Sequence, residues 1–154
     1  MAKVNFKVEG MRELQKSLKK LGEVPQKHVT ASSKKGMNIV LKQARANAPY
    51  DTGALKRGIK LVGEKAKAKG KKVYRIVFDR AMNDIFQKKN KQGKVIAYYP
   101  VSQEYGYFLR NGEYMPGLRF IHDALNENTQ KVAQTIVDTM KKKIDEEIRK
   151  AGLR

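Results

Sequence analysis

The chain contains no cysteine and no tryptophan, and only two histidines and four prolines among its 154 residues. Without cysteine it can form neither a disulfide nor a thiolate metal site. His28 and His122 stand alone, without the HxH or HExxH spacing of a metal centre, so no metal is expected. A phosphate-cradling Gly-x-x-x-x-Gly-Lys-Ser/Thr loop and a Gly-x-Ser-x-Gly elbow are both missing. Apolar runs are short, far from the roughly 20 residues that span a bilayer, and "MAKVNFKVEG" has no signal-peptide h-region. A cytoplasmic site of synthesis and no membrane partner are expected. Acidic residues are also scarce: 15 Asp and Glu face 34 Lys and Arg, for a net charge of +19. The excess is uneven, at +9 over residues 1–58, +9 over 59–94 and only +1 over 95–154. Such a field draws polyanions or acidic protein surfaces without specifying which.

What is present is patterned. Val4, Phe6 and Val8 alternate with polar residues as a strand does. Met11, Leu14, Leu18 and Leu21 then share a helical face, with Gly22 placed to cap it. A second helix is predicted from Pro25 through Val29, Met37, Val40, Leu41 and Ala44, ending before Pro49. Ala31, Ser32, Ser33 and Gly36 make part of it thin, which allows another backbone to come close. Strands follow at Ile59–Val62 and Val73–Asp79, and "VIAYYPV" reads as another. The basic segment Arg80–Lys94 reads as a long mobile loop with room for a helical turn at Met82–Phe86. "SQEYGYFLRNGEYMPG" reads as irregular. Ile121, Leu125, Val132, Ile136, Met140, Ile144 and Ile148 recur at spacings of four and seven, predicting a long helix capped at Gly152. The order defines an α+β fold: a small antiparallel sheet packed against N-terminal helices and one long C-terminal helix. One domain over 1–154, with a flexible basic loop around 80–94, suits this length.

Asp51-Thr52-Gly53 repeats the letters of an aspartic protease site. That chemistry needs two carboxylates sharing a site on an apolar strand. Here the triplet follows a helix end and a proline, and no second copy exists. It reads instead as a structural corner made of Pro49, Asp51, Thr52, Gly53, Leu55 and Ile59. In it Asp51 or Thr52 caps the next turn, Gly53 takes backbone geometry closed to other residues, Leu55 enters the core and Ile59 starts a strand. No catalytic constellation is found, and no enzyme activity or cofactor is expected.

The corner also resembles a signature of the tail-component or head–tail joining (neck, tail-completion) proteins of long-tailed bacteriophages. Ala44, Ala48, Pro49, Asp51, Thr52, Gly53, Leu55, Lys56 and Ile59 match, with Gly58 where serine is more usual. Glu104, Tyr105 and Gly106 resemble the family's Glu-aromatic-Gly, and Pro116, Arg119, Phe120 and Ala124 resemble the start of its C-terminal helix. The resemblance implies a cofactor-free structural protein of the virion, assembled in the bacterial host cytoplasm. Such proteins form small α+β rings, commonly hexamers, in the neck between portal or head-closure proteins and the tail terminator or tail tube. DNA passes through them on ejection.

A ring needs a surface that fits a different surface on the next copy. Candidate subunit-interface residues are Glu104, Tyr105, Gly106, Tyr107, Tyr114 and Phe120, with Phe108 alongside, since tyrosine buries area at little entropic cost. The alternative is that these rings close the chain's own core. Lys88, Lys89, Lys91 and Lys94 are candidates for reaching an adjacent ring or DNA. Together with Lys60, Lys65, Lys67, Lys69, Lys71 and Lys72 they could touch phosphates in a lumen without reading sequence, or face acidic neighbouring rings. Easy ejection favours protein contacts with weak DNA contact. A tail terminator is the alternative within the same class; a non-specific basic nucleic-acid-binding protein has net charge alone in its favour.

Overall fold

A computed structural model of the protein describes residues 26–150. The strand expected at Val4–Val8, the helix built on Met11 to Leu21, the start of the next helix at Pro25 and the caps at Gly22 and Gly152 lie outside these residues. The elements run α1 (Gln26–Asn47), α2 (Ala54–Gly58), β1 (Ile59–Gly63), β2 (Tyr74–Phe78), a 3-10 turn (Arg80–Met82), α3 (Asn83–Phe86), β3 (Gln87–Lys89), β4 (Val95–Tyr98), α4 (Tyr99–Tyr105), β5 (Gly106–Phe108), β6 (Tyr114–Pro116) and α5 (Phe120–Lys150). The fold is α+β, and among the described residues the strands pair as three two-stranded sheets, β1–β2, β3–β4 and β5–β6.

The described residues fall into two compact units. The first comprises 26–38, 63–74 and 129–150. There Val29 and Met140 form a small core flanked by Ile144. The thin part of α1 serves close approach: a Cβ on Gly36 would lie 2.7 Å from Ile136 Cγ1 and 3.2 Å from the Val132 carbonyl. His28 is buried, with Nε2 3.3 Å from Glu147 Oε1, and Lys27 approaches the same carboxylate at 3.6 Å.

The second unit comprises 39–62 and 75–128. Its core gathers Ala48, Leu55, Ile59 and Phe120, with Leu41, Ile76, Phe78, Tyr99 and Ile121 packed around them. Phe78 meets Phe86 and Phe120 edge to face at centroid distances of 6.3 and 6.4 Å, and Phe86 meets Tyr98 at 6.1 Å, the geometry the ring quadrupoles favour.

Three readings of the sequence are corrected here. The loop expected over Arg80–Lys94 has its helical turn, at Asn83–Phe86, but the remainder is not bare loop. Residues 80–98 carry the 3-10 turn, α3 and the β3–β4 hairpin, whose register bulges between Lys88 and Lys89. "VIAYYPV" is a strand only as far as Tyr98. Pro100, whose missing N–H costs nothing in a first helical turn, lies at the start of α4 instead. The segment expected to be irregular is the end of α4 followed by the antiparallel β5–β6 hairpin, pairing Gly106 with Pro116, Tyr107 with Met115 and Phe108 with Tyr114.

Both hairpins turn in the same way. The N–H of the first loop residue bonds the carbonyl of the fifth, and the N–H of the fourth, a glycine with positive φ, bonds back to the first. The pairs are Asn90–Lys94 and Gly93–Asn90 in one hairpin, and Leu109–Glu113 and Gly112–Leu109 in the other. This is a tight turn completed by a left-handed glycine.

Candidate assembly surface

The corner after α1 is held by Arg45, a residue not among those assigned to the corner from the sequence. Arg45, in the last turn of α1, donates from Nε and Nη2 to the Ile59 carbonyl at 3.1 and 2.7 Å. The guanidinium fork thus ties the helix end to the first residue of β1. Pro49 follows Ala48, whose N–H still bonds Ala44. The bend contains a short helix, α2, before the strand starts. Its N-cap is Gly53, at φ 73°, with no side-chain cap bond. Of the two expected caps, Thr52 Oγ1 accepts a long hydrogen bond of 3.4 Å from the N–H of Ala54, the first residue of α2, while Asp51 is exposed and the N-cap position itself falls on Gly53. Leu55 and Ile59 are buried and anchor the corner in the core. The far end is closed by the Asp79 N–H, which bonds the Gly58 carbonyl at 2.7 Å. Asp79 also pairs with Lys60 and accepts from the Ala81 N–H at 3.1 Å. The Lys60 hydrogen bond, then the Ala81 bond, hold its carboxyl below the usual carboxylate range.

Gly58, where serine is more usual in the resembling pattern, has a local reason. A Cβ there would fall on the Phe86 ring, 2.6 Å from Cε2, and 3.2 Å from Met82 Sδ. Phe86 fills the space a side chain at 58 would occupy.

Glu104 is 3% exposed, and both of its oxygens point into the chain. Oε2 accepts from the Ile121 N–H at 2.9 Å and Oε1 from the His122 N–H at 3.0 Å. These are amides of the first turn of α5, where intrahelical acceptors are lacking and the helix dipole favours negative charge. Around this cap the chain is knit closely. The Arg119 N–H bonds the Glu104 carbonyl at 3.0 Å and the Leu118 N–H bonds the Gln103 carbonyl at 2.8 Å. Tyr114 donates its hydroxyl to the Tyr105 carbonyl at 2.5 Å. A Cβ on Gly106, at φ 88°, would collide with the Met115 carbonyl and lie 2.8 Å from the Gly117 nitrogen. A Cβ on Gly117 would collide with the Glu104 carbonyl in turn. The Glu-aromatic-Gly motif is therefore a capping and crossing device.

The expected interface residues divide on this geometry. Glu104 and Phe120 are turned inward, and Gly106 is half-buried at the crossing. Tyr105, Tyr107 and Tyr114 are exposed, as are Phe108 at 74%, Met115 and Leu118. Phe108 and Tyr114 face each other across the hairpin at 5.2 Å between centroids. Tyr105, Tyr114, Pro116, Gly117 and Arg119 line a shallow cleft, with Arg119 held at φ 49°. The remaining exposed apolar side chains of this unit include Tyr50, Ile85, Val95, Ile96 and Val101. Lys88, Lys89, Lys91 and Lys94 are all exposed on the β3–β4 hairpin. Among the described residues no group of three His, Asp or Glu is placed to hold a metal ion, and no helix is long and apolar enough to cross a membrane.

Residues 12–112 match the family described as "Bacteriophage HK97-gp10, putative tail-component". That span covers well over half of the chain, and the protein belongs to this family of structural phage tail components. A tail component is part of the virion and works in contact with other structural proteins of the particle. No curated protein and no solved structure matches the chain.

Proposed function

We propose that the protein is a connector of the phage neck, in which identical copies, commonly six, close into a ring that completes the tail or joins it to the DNA-filled head. The whole chain, 1–154, acts as one connector domain assembled in the host cytoplasm. The observation that carries the reading is the set of exposed apolar side chains Tyr105, Tyr107, Phe108, Tyr114, Met115 and Leu118 on and beside the β5–β6 hairpin. Soluble monomers seldom leave so many aromatic and aliphatic side chains of one short hairpin in water, with Phe108 and Tyr114 on one face and Tyr107 and Met115 on the other, and such exposure marks protein contacts. Its backbone is clamped by the Glu104 cap and the Gly106–Gly117 crossing, so the surface is held ready for a neighbour at low ordering cost. A different surface of the next copy meets it, as a ring requires. The β3–β4 hairpin with Lys88, Lys89, Lys91 and Lys94 reaches the adjacent head-closure, portal or tail-tube ring. A tail terminator is the second reading and uses the same surfaces.

Electron microscopy of particles made without the protein separates these readings. Normal-length tails detached from filled heads indicate joining, and overlong tails indicate termination. If the protein is missing from intact virions, or stays monomeric inside them, the ring reading fails.

A further inference from the structure

Residues 64–73 are the most basic stretch of the first unit, carrying Lys65, Lys67, Lys69, Lys71 and Lys72 separated only by Ala66, Ala68 and Gly70. Such a composition can bury nothing and would ordinarily be a solvated tether. The structure instead holds it at several points. The Gln26 side chain accepts from the Gly70 N–H at 2.9 Å and donates to the Lys71 carbonyl at 3.1 Å, bridging 44 and 45 residues of sequence. The Glu64 N–H bonds the Val73 carbonyl at 2.9 Å and closes the base of the loop. Tyr74 donates its hydroxyl to the Thr30 carbonyl at 3.1 Å, tying the base to α1. Lys72 lies over the Tyr74 ring, 5.5 Å from its centroid, and donates to the Glu64 carbonyl at 2.5 Å. Gly70, at φ 75°, supplies the bend. Lys65, Lys67 and Lys71 are left exposed, with no carboxylate partner among the described residues. Lys34 follows Gln26 and Thr30 at spacing four, on the face of α1 from which the loop is tied, and is also exposed.

We propose that this lysine loop, pinned to α1 by Gln26, is a binding site for the phosphate backbone of duplex nucleic acid. The inference stands on the first unit alone and holds whether or not copies close into a ring. Lysine ammoniums are point charges suited to phosphate oxygens. The loop has no arginine, asparagine, glutamine or aromatic side chain with which to read base edges, so it binds without sequence preference. For this loop the order expected from ease of ejection is reversed, and an acidic protein is the less favoured occupant. Lysine is depleted in protein interfaces, and the loop offers no aromatic anchor and, at its base, only Val73 as an exposed apolar side chain larger than alanine, whereas the exposed aromatics among the described residues lie on the second unit. Pinning matters because a preordered loop forfeits less entropy when it engages the ligand.

The test is fluorescence anisotropy of the full-length protein with labelled duplexes of two unrelated sequences, titrated across salt concentrations. Both duplexes should bind alike. The triple variant Lys65→Gln, Lys67→Gln, Lys71→Gln should weaken binding at least about tenfold at 0.1 M-scale salt and reduce the salt slope by about 2.7, or about 0.9 per lost contact. Lys88→Gln, Lys91→Gln, Lys94→Gln removes the same charge from the other unit and should retain most of the affinity. Gln26→Ala leaves the net charge intact and should still weaken binding at a temperature where the variant remains folded, its melting temperature falling by no more than a few degrees. Equal losses from the two triple variants would mean that diffuse charge does the binding, and full affinity in Gln26→Ala would mean that pinning is irrelevant. Polyglutamate competing as well as DNA at equal charge would make the site one for acidic protein. Each of these three results overturns the proposal.

Discussion

Gly106 and Gly112 share a φ of 88°, but for different reasons. At Gly112 an added Cβ meets nothing within 4 Å, so only the backbone geometry resists substitution. Asparagine tolerates that region, and Gly112→Asn should cost less than about 1 kcal/mol. At Gly106 the Met115 carbonyl blocks the same atom, and Gly106→Ala should cost about 3 kcal/mol or more through strain and displacement together. Chemical denaturation of the two variants measures the difference. The corner supports a second contrast. Leu55→Asp places a charge at a site 2% exposed and should unfold the protein or prevent its assembly. Asp51→Asn should be close to neutral, because Asp51 is exposed and the N-cap is Gly53. Asp79 adds a pH dependence. Its carboxyl is held low by Lys60 and the Ala81 N–H, so its stabilisation is present above the ordinary Asp range and is lost as pH falls through the lowered value, below about pH 4. Asp79→Asn should therefore lower the melting temperature near neutrality and flatten its fall in acid, as thermal melts across pH would show.

At the scale of elements, the block of α4, β5, β6 and the start of α5 behaves as one piece. Glu104 is the fastener. Glu104→Ala leaves two first-turn amides without their acceptor and should cost about 2–4 kcal/mol, while Glu104→Gln keeps one acceptor and should cost less. Both values are readable by denaturant unfolding. This block was also the least legible from sequence. The long helices announced themselves through apolar recurrence, as at Val132, Ile136 and Met140, and β1 and β2 through alternation. A strand of three or four residues, such as Gly106–Phe108 or Gln87–Lys89, is too short to display a period. The available signal was the turn: Gly93 and Gly112, each set three residues after the loop begins and flanked by strand-forming residues, mark hairpins. Pro100 argued against a strand through residue 100. The Glu104 cap carried no signal, because a carboxylate 17 and 18 residues from its donors cannot be paired with them by spacing. Arg45 was missed for a related reason: a basic residue in a last helical turn usually serves its own helix.

For the whole molecule, the two kinds of surface are segregated. Among the described residues the large exposed aromatic and aliphatic side chains belong to the second unit, Val73 excepted, and the pinned lysine loop to the first. Assembly and charge should thus be separable by mutation. Tyr107→Ser with Phe108→Ser should lower the oligomeric state seen by native mass spectrometry while leaving the monomer's melting temperature within a few degrees, because both side chains are exposed. Failure to change the oligomeric state would move the contact elsewhere. The net charge of +19 was plain from composition, but its placement was not. Composition counts lysines; it cannot tell a tether from a loop fixed by Gln26.

The separations along the chain that these contacts close also bear on the kinetics of folding. Glu104 reaches its amides across 17 and 18 residues, whereas Gln26 must find partners 44 and 45 residues away. Short closures cost less chain entropy and tend to form first. We expect the Glu-aromatic-Gly block to condense early as a nucleus, so that Glu104→Gln slows refolding while Gln26→Ala mainly speeds unfolding.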